Sequence, residues 1–156
     1  MSVLFTIGYQ GCDLRSLIRV LAIKRIDEIV DVRLTPVSRK AGFSGSVLAR
    51  ALAAKGIAYQ HRRDLGCPKD IRTRYRLTGD FHGYTRSYRH RVLERATESV
   101  QELARGVASR RLCLLCFEEN PFQCHRSLVA DETRRASQKE VRVDHLDVAS
   151  SGRTCR

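Results

Sequence analysis

The chain has 156 residues, 42% of them hydrophobic, which is enough for one domain with a buried core. No apolar run approaches the roughly 20 residues of a membrane-spanning helix, and the N-terminus lacks the basic start and long apolar region of a signal peptide. We therefore expect a cytoplasmic protein without a membrane partner. Its formal net charge of +12 favours an anionic partner such as a nucleic acid, a nucleotide or an acidic surface.

The predicted elements alternate between strands and helices along the chain. Asp13 is suited to cap a first helix over 14–22, and Ser46 to cap a second helix that ends before Gly56. A third helix is predicted over 85–105 and a fourth from about 124 to 137, whereas residues 62–82 are predicted to be irregular. Apolar runs predict strands over 3–7, 26–33, 57–61, 112–117 and 141–146.

This alternation predicts a single α/β domain over residues 1–148, with a mainly parallel sheet of about five strands and helices on both faces. Residues 149–156 are predicted to form a flexible C-terminal tail. The pattern leaves strand order and oligomeric state open. The loops after the first four strands should emerge at one edge of the sheet, where open α/β proteins usually bind ligands.

The segment from Leu112 to Arg126 concentrates reactive side chains at the end of the fourth predicted strand. Cys124 opens the next helix, whose N-terminus favours a thiolate, so this residue is a candidate nucleophile or, alternatively, a structural cap. Glu118 and His125 are candidates for proton transfer, with an ion-pair anchor and a packing histidine as the alternatives. Arg126 is expected to bind a substrate anion or to pair with a carboxylate of the protein.

The six cysteines are expected to be reduced, and their irregular spacing does not indicate a disulfide framework. Because side chains alternate along a strand, Cys113 and Cys116 should point to opposite faces, whereas Cys116 and Glu118 share one. A metal site could use Cys116, Glu118, Cys124 and His125, but the neighbours Cys124 and His125 diverge by roughly 100° on a helix. No metal ligand is therefore predicted, and no cofactor is identified.

Polar residues also follow the other predicted strands. Asp31 lies late in an apolar run, so its carboxylate is predicted to face either a polar pocket or a partner group, and it is a candidate for proton transfer. Gly8 ends the first strand and permits close backbone approach. The residues predicted to bind the substrate are Tyr9, Arg33, Ser38, His61 and Arg126.

Residues 61–91 form a basic stretch with interleaved aromatic residues, in which nine Lys or Arg stand against three acids. Basic groups contact phosphates and aromatic rings stack on bases, so the pattern favours binding of a nucleotide or single-stranded nucleic acid. The alternative is a solvated segment whose aromatic rings pack on the sheet. The residues predicted to bind nucleic acid are Arg72, Arg74, Arg76 and Tyr84.

Several of these pieces together resemble the family catalogued as domain of unknown function 488. The resemblance departs from the family pattern at Cys67, where a second glycine is expected. It implies no activity, but it implies that the strand-end residues belong to one shared site. The segments that carry it are Thr6-Ile7-Gly8-Tyr9, Asp31-Val32-Arg33 with Pro36 and Ser38, Gly56-Ile57-Ala58-Tyr59 with Leu65-Gly66, and Cys116-Phe117-Glu118 with Pro121 and Cys124-His125-Arg126.

Three functions are consistent with these residues. The first is an enzyme that acts on a phosphorylated or otherwise anionic substrate, either a nucleotide or a nucleic acid. The second is a non-catalytic nucleic-acid-binding module, which the basic aromatic stretch favours. The third is a thiol redox or metal-binding protein, which the thiol, imidazole and carboxylate groups near the fourth strand favour.

Overall fold

A five-stranded parallel sheet forms the centre of the computed structural model, which describes residues 1–148. The strands lie side by side in the order β3-β2-β4-β1-β5, and every neighbouring pair is parallel. The predicted α/β class and parallel sheet are thus confirmed, while the predicted tail over 149–156 lies outside the described residues. The strands are β1 (Ser2–Gly8), β2 (Glu28–Asp31), β3 (Ala58–His61), β4 (Leu112–Cys116) and β5 (Val141–Leu146).

Helices cover both faces of the sheet. Leu17 and Leu48, from α1 and α2, pack with Ile29 on one face, whereas Tyr88 of α4 and Val129 of α6 belong to the core on the other face. Among residues 1–148, none of the helices combines the length and apolar character needed to span a bilayer. The helices are α1 (Leu14–Ile23), α2 (Gly45–Ala53), α3 (Lys69–Thr78), α4 (Phe81–Arg91), α5 (Thr97–Gly106) and α6 (His125–Ala136).

Two of the predicted helix starts can be compared directly with the structure. The side chain of Asp13 caps α1 by accepting a hydrogen bond from the amide of Ser16 at 2.8 Å, as predicted. The prediction that Ser46 caps α2 is wrong, because the helix begins earlier and Ser44 occupies the cap position. Gly56 has a positive φ of 72° just beyond this helix, which is the conformation expected of a glycine after a helix end.

The prediction that residues 62–82 are irregular is wrong, since they contain α3. Ile71 is the buried residue of this helix, and the other positions are mostly basic, so no apolar stripe marks it in the sequence. The predicted helix over 85–105 is in fact α4 and α5, separated at Val92 by a short 3-10 segment, Leu93–Arg95. Both helices pack into the same core, and therefore the apolar spacing continues across the break.

The connections between strands place a crevice at the carboxyl end of the sheet. The chain leaves β2 toward the outer strand β3, whereas it leaves β4 toward the opposite edge at β5. Since β2 and β4 are neighbours, their loops diverge and open a gap between them, which is where open α/β proteins bind ligands. This gap positions the candidate site.

Candidate functional site

A cleft of about 950 Å³ lies at the carboxyl ends of the strands. Its walls come from the loops after β1, β2 and β4 and from the helices α3 and α4. The cleft thus brings together Cys116 and eight of the site residues predicted from the sequence, namely Tyr9, Arg33, Ser38, Arg72, Arg76, Tyr84, Glu118 and His125. The predicted residues Asp31, His61, Arg74, Cys124 and Arg126 do not line it.

Gly8 allows the loop after β4 to cross the end of β1. A Cβ atom at this position would overlap the backbone carbonyl of Glu118, so only glycine fits without a shift of the loop. The crossing is held by backbone hydrogen bonds from Tyr9 to Cys116 at 3.3 Å and from Gln10 to Phe117 at 2.9 Å. The close approach predicted at Gly8 is therefore present, and it positions the loop after β4 that forms one wall of the cleft.

Asp31 and Arg33 form a buried ion pair at the end of β2. The Nε atom of Arg33 donates to Oδ1 of Asp31 at 2.9 Å, and its Nη2 atom donates to Oδ2 at 2.6 Å. The hydroxyl of Tyr59 also donates to Oδ2 at 2.6 Å. Burial raises the pKa of Tyr59, and the Asp31 carboxylate raises it further. Because Asp31 is fully buried and its oxygens accept these bonds, it lies behind the cleft wall.

The remaining donors of Arg33 also bind the protein. Its Nη1 atom donates to the hydroxyl of Tyr9 at 2.9 Å and to the carbonyl of Phe43 at 2.7 Å, and the ring of Tyr9 stacks on that of Phe43 at 4.4 Å. Burial alone lowers the pKa of Arg33, but the hydrogen bonds and charge of Asp31 outweigh it and raise the pKa. Nε2 of His61 lies 2.7 Å from the carbonyl of Arg33. These contacts fix the loop after β2.

Arg126 is fully buried beneath the loop that follows β4. Its Nε donates to the hydroxyl of Thr6 at 3.2 Å, its Nη1 to the carbonyl of Glu118, and its Nη2 to the carbonyl of Glu119 at 3.1 Å. Burial lowers the pKa of this guanidinium to about 10, which leaves it protonated at neutral pH. The expectation that Arg126 binds a substrate anion does not fit this placement, because its donors hold backbone carbonyls.

The sulfur atoms of Cys116 and Cys124 face each other at the floor of the cleft, where they form a potential disulfide pair. The expectation that all six cysteines are reduced did not include this pairing, which β4 and the start of α6 bring together across eight residues. Their Cα atoms are 7.9 Å apart. Sγ of Cys116 lies 3.1 Å from Oε2 of Glu118, as expected for two side chains on one side of the strand end. Cys113 is buried on the opposite face, as predicted.

Cys124 caps α6 rather than belonging to its first turn. Its backbone is extended, with φ −141° and ψ 146°, and its Sγ accepts from the amide of Arg126 at 3.5 Å. The divergence of roughly 100° expected for neighbours on a helix therefore does not apply to Cys124 and His125. Nδ1 of His125 lies 3.9 Å from Sγ of Cys124. The geometric argument against a metal site that uses both Cys124 and His125 therefore no longer applies.

His125 has a fixed ring orientation. Its Nε2 lies 2.7 Å from the carbonyl of Val32, which can only accept, so Nε2 carries the proton and Nδ1 is left as an acceptor. Burial lowers the pKa of His125, although the bond to Val32 opposes this. The neutral ring packs 5.4 Å from the ring of Tyr88. His125 thus presents a lone pair toward the cysteines.

Helix α3 divides the predicted nucleic-acid residues between two surfaces. Arg72 and Arg76 are one helical turn apart and line the cleft, whereas Arg74 lines a separate surface groove with Leu77. Nε of Arg72 is buried and has no hydrogen-bond partner among residues 1–148. A buried donor without a partner is costly.

The aromatic residues of this region stack on one another. Phe81 stacks on Tyr84 at 5.1 Å, Tyr84 lies 6.4 Å from Tyr88, and Tyr75 meets Tyr84 at 5.3 Å. Tyr84 and Tyr88 are buried, and burial raises the pKa of both hydroxyls, with Cys67 as a further cause. The alternative given in the sequence analysis, in which the aromatic rings pack on the sheet, describes these rings better than a base-stacking surface does.

The site residues drawn from the sequence did not include Cys116, which lines the cleft, or Lys40, which contacts the loop after β1. Cys116 was placed on the same side as Glu118 by strand alternation, and this was the signal that could have added it. Lys40 reaches across from the loop after β2, where its Nζ donates to the carbonyls of Tyr9 at 3.0 Å and Gln10 at 2.9 Å. Ser38 lies nearby and accepts from the amide of Lys40 at 3.1 Å. No pattern in the sequence indicated the long contact made by Lys40.

A family model described as Domain of unknown function DUF488 matches residues 13–133. The chain belongs to this family. The DUF488 match includes the loops after β2 and β4, but it begins after β1, so Gly8 and Tyr9 lie outside it. Comparisons with curated proteins and with solved structures found no match. Membership of DUF488 therefore identifies the family without indicating a reaction.

Proposed function

We propose that this protein is an enzyme that acts on a phosphorylated or otherwise anionic substrate, a nucleotide or a nucleic acid, bound in the strand-end cleft. The observation that carries the proposal is Arg72, whose buried Nε lacks a partner in the described chain within a cleft at the point where neighbouring loops diverge. Arg76 adds a second guanidinium from the same helix. Guanidinium groups bind phosphate oxygens through paired, charge-assisted hydrogen bonds.

The two buried arginines have a different part in this proposal from the one expected from the sequence. Arg33 is held by Asp31, Tyr9 and a backbone carbonyl, and Arg126 by the carbonyls of the loop after β4. These residues position the walls of the cleft. Arg72 and Arg76 are the groups that we assign to the substrate anion.

Glu118 is the group that we assign to proton transfer. It is partly exposed and lines the cleft, whereas Asp31 is buried and engaged with Arg33 and Tyr59. A carboxylate in a cleft that also contains cationic groups can accept a proton from a bound hydroxyl or water. His125 lines the same cleft, but its Nε2 is committed to the carbonyl of Val32.

The binding-module alternative loses part of its basis in the structure. The aromatic rings that were to stack on bases are stacked on one another, and Arg74 does not share the cleft with Arg72 and Arg76. The net charge of +12 still favours an anionic partner. We therefore keep nucleotide or nucleic acid as the substrate class and place its anion in the cleft.

The test is a titration of the whole chain with inorganic phosphate, nucleotides and short oligonucleotides at low salt. We expect binding to weaken by about tenfold or more in an Arg72→Gln, Arg76→Gln double variant, since a charge-assisted bond is worth about 1.5–3 kcal/mol. The matched control is Arg74→Gln, which removes a charge from the other side of the same helix. Equal weakening in the control, or no binding by the unaltered chain, contradicts the proposal.

A test of catalysis follows from any ligand that binds. Glu118→Gln should leave binding of that ligand within a few-fold and abolish its turnover, because the amide keeps the shape of the side chain but cannot accept the proton. Turnover that persists in this variant contradicts the role of Glu118.

A further inference from the structure

Three potential metal-binding atoms converge at the floor of the cleft. Sγ of Cys116, Sγ of Cys124 and Nδ1 of His125 all lie within 4.8 Å of one another. We propose that the reduced form of this cluster binds a divalent transition-metal ion of the zinc class through two thiolates and one imidazole. The proposal goes beyond the function proposed above, because it does not depend on an anionic substrate.

The orientation of His125 is that of a metal ligand. Nε2 donates to the carbonyl of Val32 at 2.7 Å, which fixes the tautomer and turns the unprotonated Nδ1 toward the sulfur atoms. A ligating histidine almost always donates its other nitrogen in this way, to a carbonyl or a carboxylate. If His125 served only in packing, its unprotonated Nδ1 would have no need to face two cysteines.

The spacing of the two cysteines also fits a bridging ion. Their Cα atoms are 7.9 Å apart, which exceeds the roughly 4.4–6.8 Å of most disulfides. Two zinc–sulfur bonds of about 2.3 Å each bridge a wider gap than a single sulfur–sulfur bond does. The backbone of β4 and α6 can therefore present both sulfur atoms to one ion.

The ion binds only after the disulfide is reduced. A dithiol reductant transfers two electrons and two protons to the sulfur–sulfur bond, which yields two thiols while the reductant becomes a disulfide. Metal binding then releases the two thiol protons and forms two sulfur–metal bonds. The oxidised form has no thiolate to offer, and it should not bind the ion.

The surroundings favour thiolates once the bond is reduced. The backbone amide of Arg126 donates to Sγ of Cys124 at 3.5 Å. The side-chain Nη1 of the same residue lies 3.6 Å from Sγ of Cys116. Donors and a positive charge next to sulfur stabilise its anionic form. Two thiolates and a neutral imidazole would also balance the charge of a divalent ion inside a buried site.

The fourth position at the ion would open toward the cleft. Cys116 and His125 line the cleft, and Oε2 of Glu118 lies 3.1 Å from Sγ of Cys116. Zinc sites with three protein ligands and an open position are the pattern of catalytic rather than structural sites. The geometry therefore points to an ion that could meet a substrate or water beside Glu118.

The experiment is a titration of the whole chain with cobalt(II) and zinc(II), after reduction by a phosphine and removal of bound metal. We expect about one equivalent of cobalt to bind and to give the sulfur-to-metal absorption of thiolate ligation, which zinc then displaces. Cys116→Ser and Cys124→Ser should each weaken binding by roughly 100-fold or more. Serine is a favourable helix cap, so the second variant should retain α6.

The control is Cys12→Ser, which removes a buried thiol outside the cluster. It should bind cobalt as the unaltered chain does. Absence of binding by the reduced chain, binding without the thiolate absorption, or equal weakening by the control overturns the proposal. None of these results bears on the phosphate titration of the Arg72 and Arg76 variants, so the two proposals fail separately.

Discussion

The carboxylate of Asp31 and the guanidinium of Arg33 pair two residues apart at the end of β2, with Nη2 and Oδ2 separated by 2.6 Å. Both side chains are more than nine-tenths buried, so water does not solvate either charge and each depends on its partner. The pair anchors Tyr59 on one side and Tyr9 on the other. It therefore links three strand ends and supports the wall of the cleft.

Replacement of Asp31 should be strongly destabilising. Asp31→Ala leaves the buried charge of Arg33 without a partner, and we expect a loss of about 3–5 kcal/mol in the free energy of unfolding. Chemical denaturation measures it. The control is Asp70→Asn, which removes an exposed ion pair with Arg91 and should change stability little. A loss for Asp31→Ala as small as that of the control contradicts the structural role of the pair.

Gly8 provides a second test of the cleft wall. In Gly8→Ala the new Cβ meets the backbone carbonyl of Glu118, and we expect a loss of about 2 kcal/mol or more, because backbone yields less readily than a side chain. Gly11→Ala is the control, since its Cβ would meet only the Glu119 side chain, at 3.4 Å or more. If the two variants have the same denaturation midpoint, the loop after β4 does not cross Gly8 as described.

The thiols should differ in their reaction with an alkylating reagent. In the oxidised chain Cys116 and Cys124 should be bonded and therefore unreactive, and a peptide map should recover them linked. Burial raises the pKa of Cys67 to about 11, so this thiol should react slowly as well. Reduction should release the linked pair and add two reactive sites. Prompt labelling of Cys124 without reductant would contradict the disulfide.

His145 should make stability depend on pH. Burial lowers its folded-state pKa below the ordinary value of 6.5, and the charge of Arg126 lowers it further, against the carboxylates of Asp131 and Asp144. The unfolded chain therefore binds the proton more readily, so stability is lost as the pH falls from about 6.5 toward the folded-state pKa.

We expect His145→Gln to show a shallower decline over this range than the unaltered chain does. Urea denaturation at a series of pH values compares the slopes, which separates the titration from any constant cost of losing the contact with Thr6 at 2.7 Å. Identical slopes would mean that His145 titrates alike in both states.

Most of the fold was predictable because its signals are local. The apolar run of β4 and the cap at Asp13 are each set by a few neighbouring residues, and the structure confirms them. Helix α3 was missed because Ile71 alone is buried in it, which gives no apolar period. Tertiary packing against the core, rather than sequence pattern, forms this helix.

The candidate site was predictable in location but not in detail. Parallel strands bring their carboxyl ends together, so Tyr9, Arg33 and Glu118 were expected at one edge, and they line one cleft. The partners of Arg126 were not predictable, because they are backbone carbonyls whose positions depend on how the loop after β4 crosses Gly8. The contact between Cys116 and Cys124 depends on the same loop.

The most direct test of the proposed function is the nuclear magnetic resonance signal of each arginine Nε–H group during a titration with inorganic phosphate or a nucleotide. The unpartnered Nε of Arg72 should gain an acceptor, so its signal should shift in a saturable manner, while that of Arg74 on the other side of α3 stays in place. A stationary Arg72 signal, or equal shifts of both signals, would contradict the assignment of the cleft to an anionic substrate.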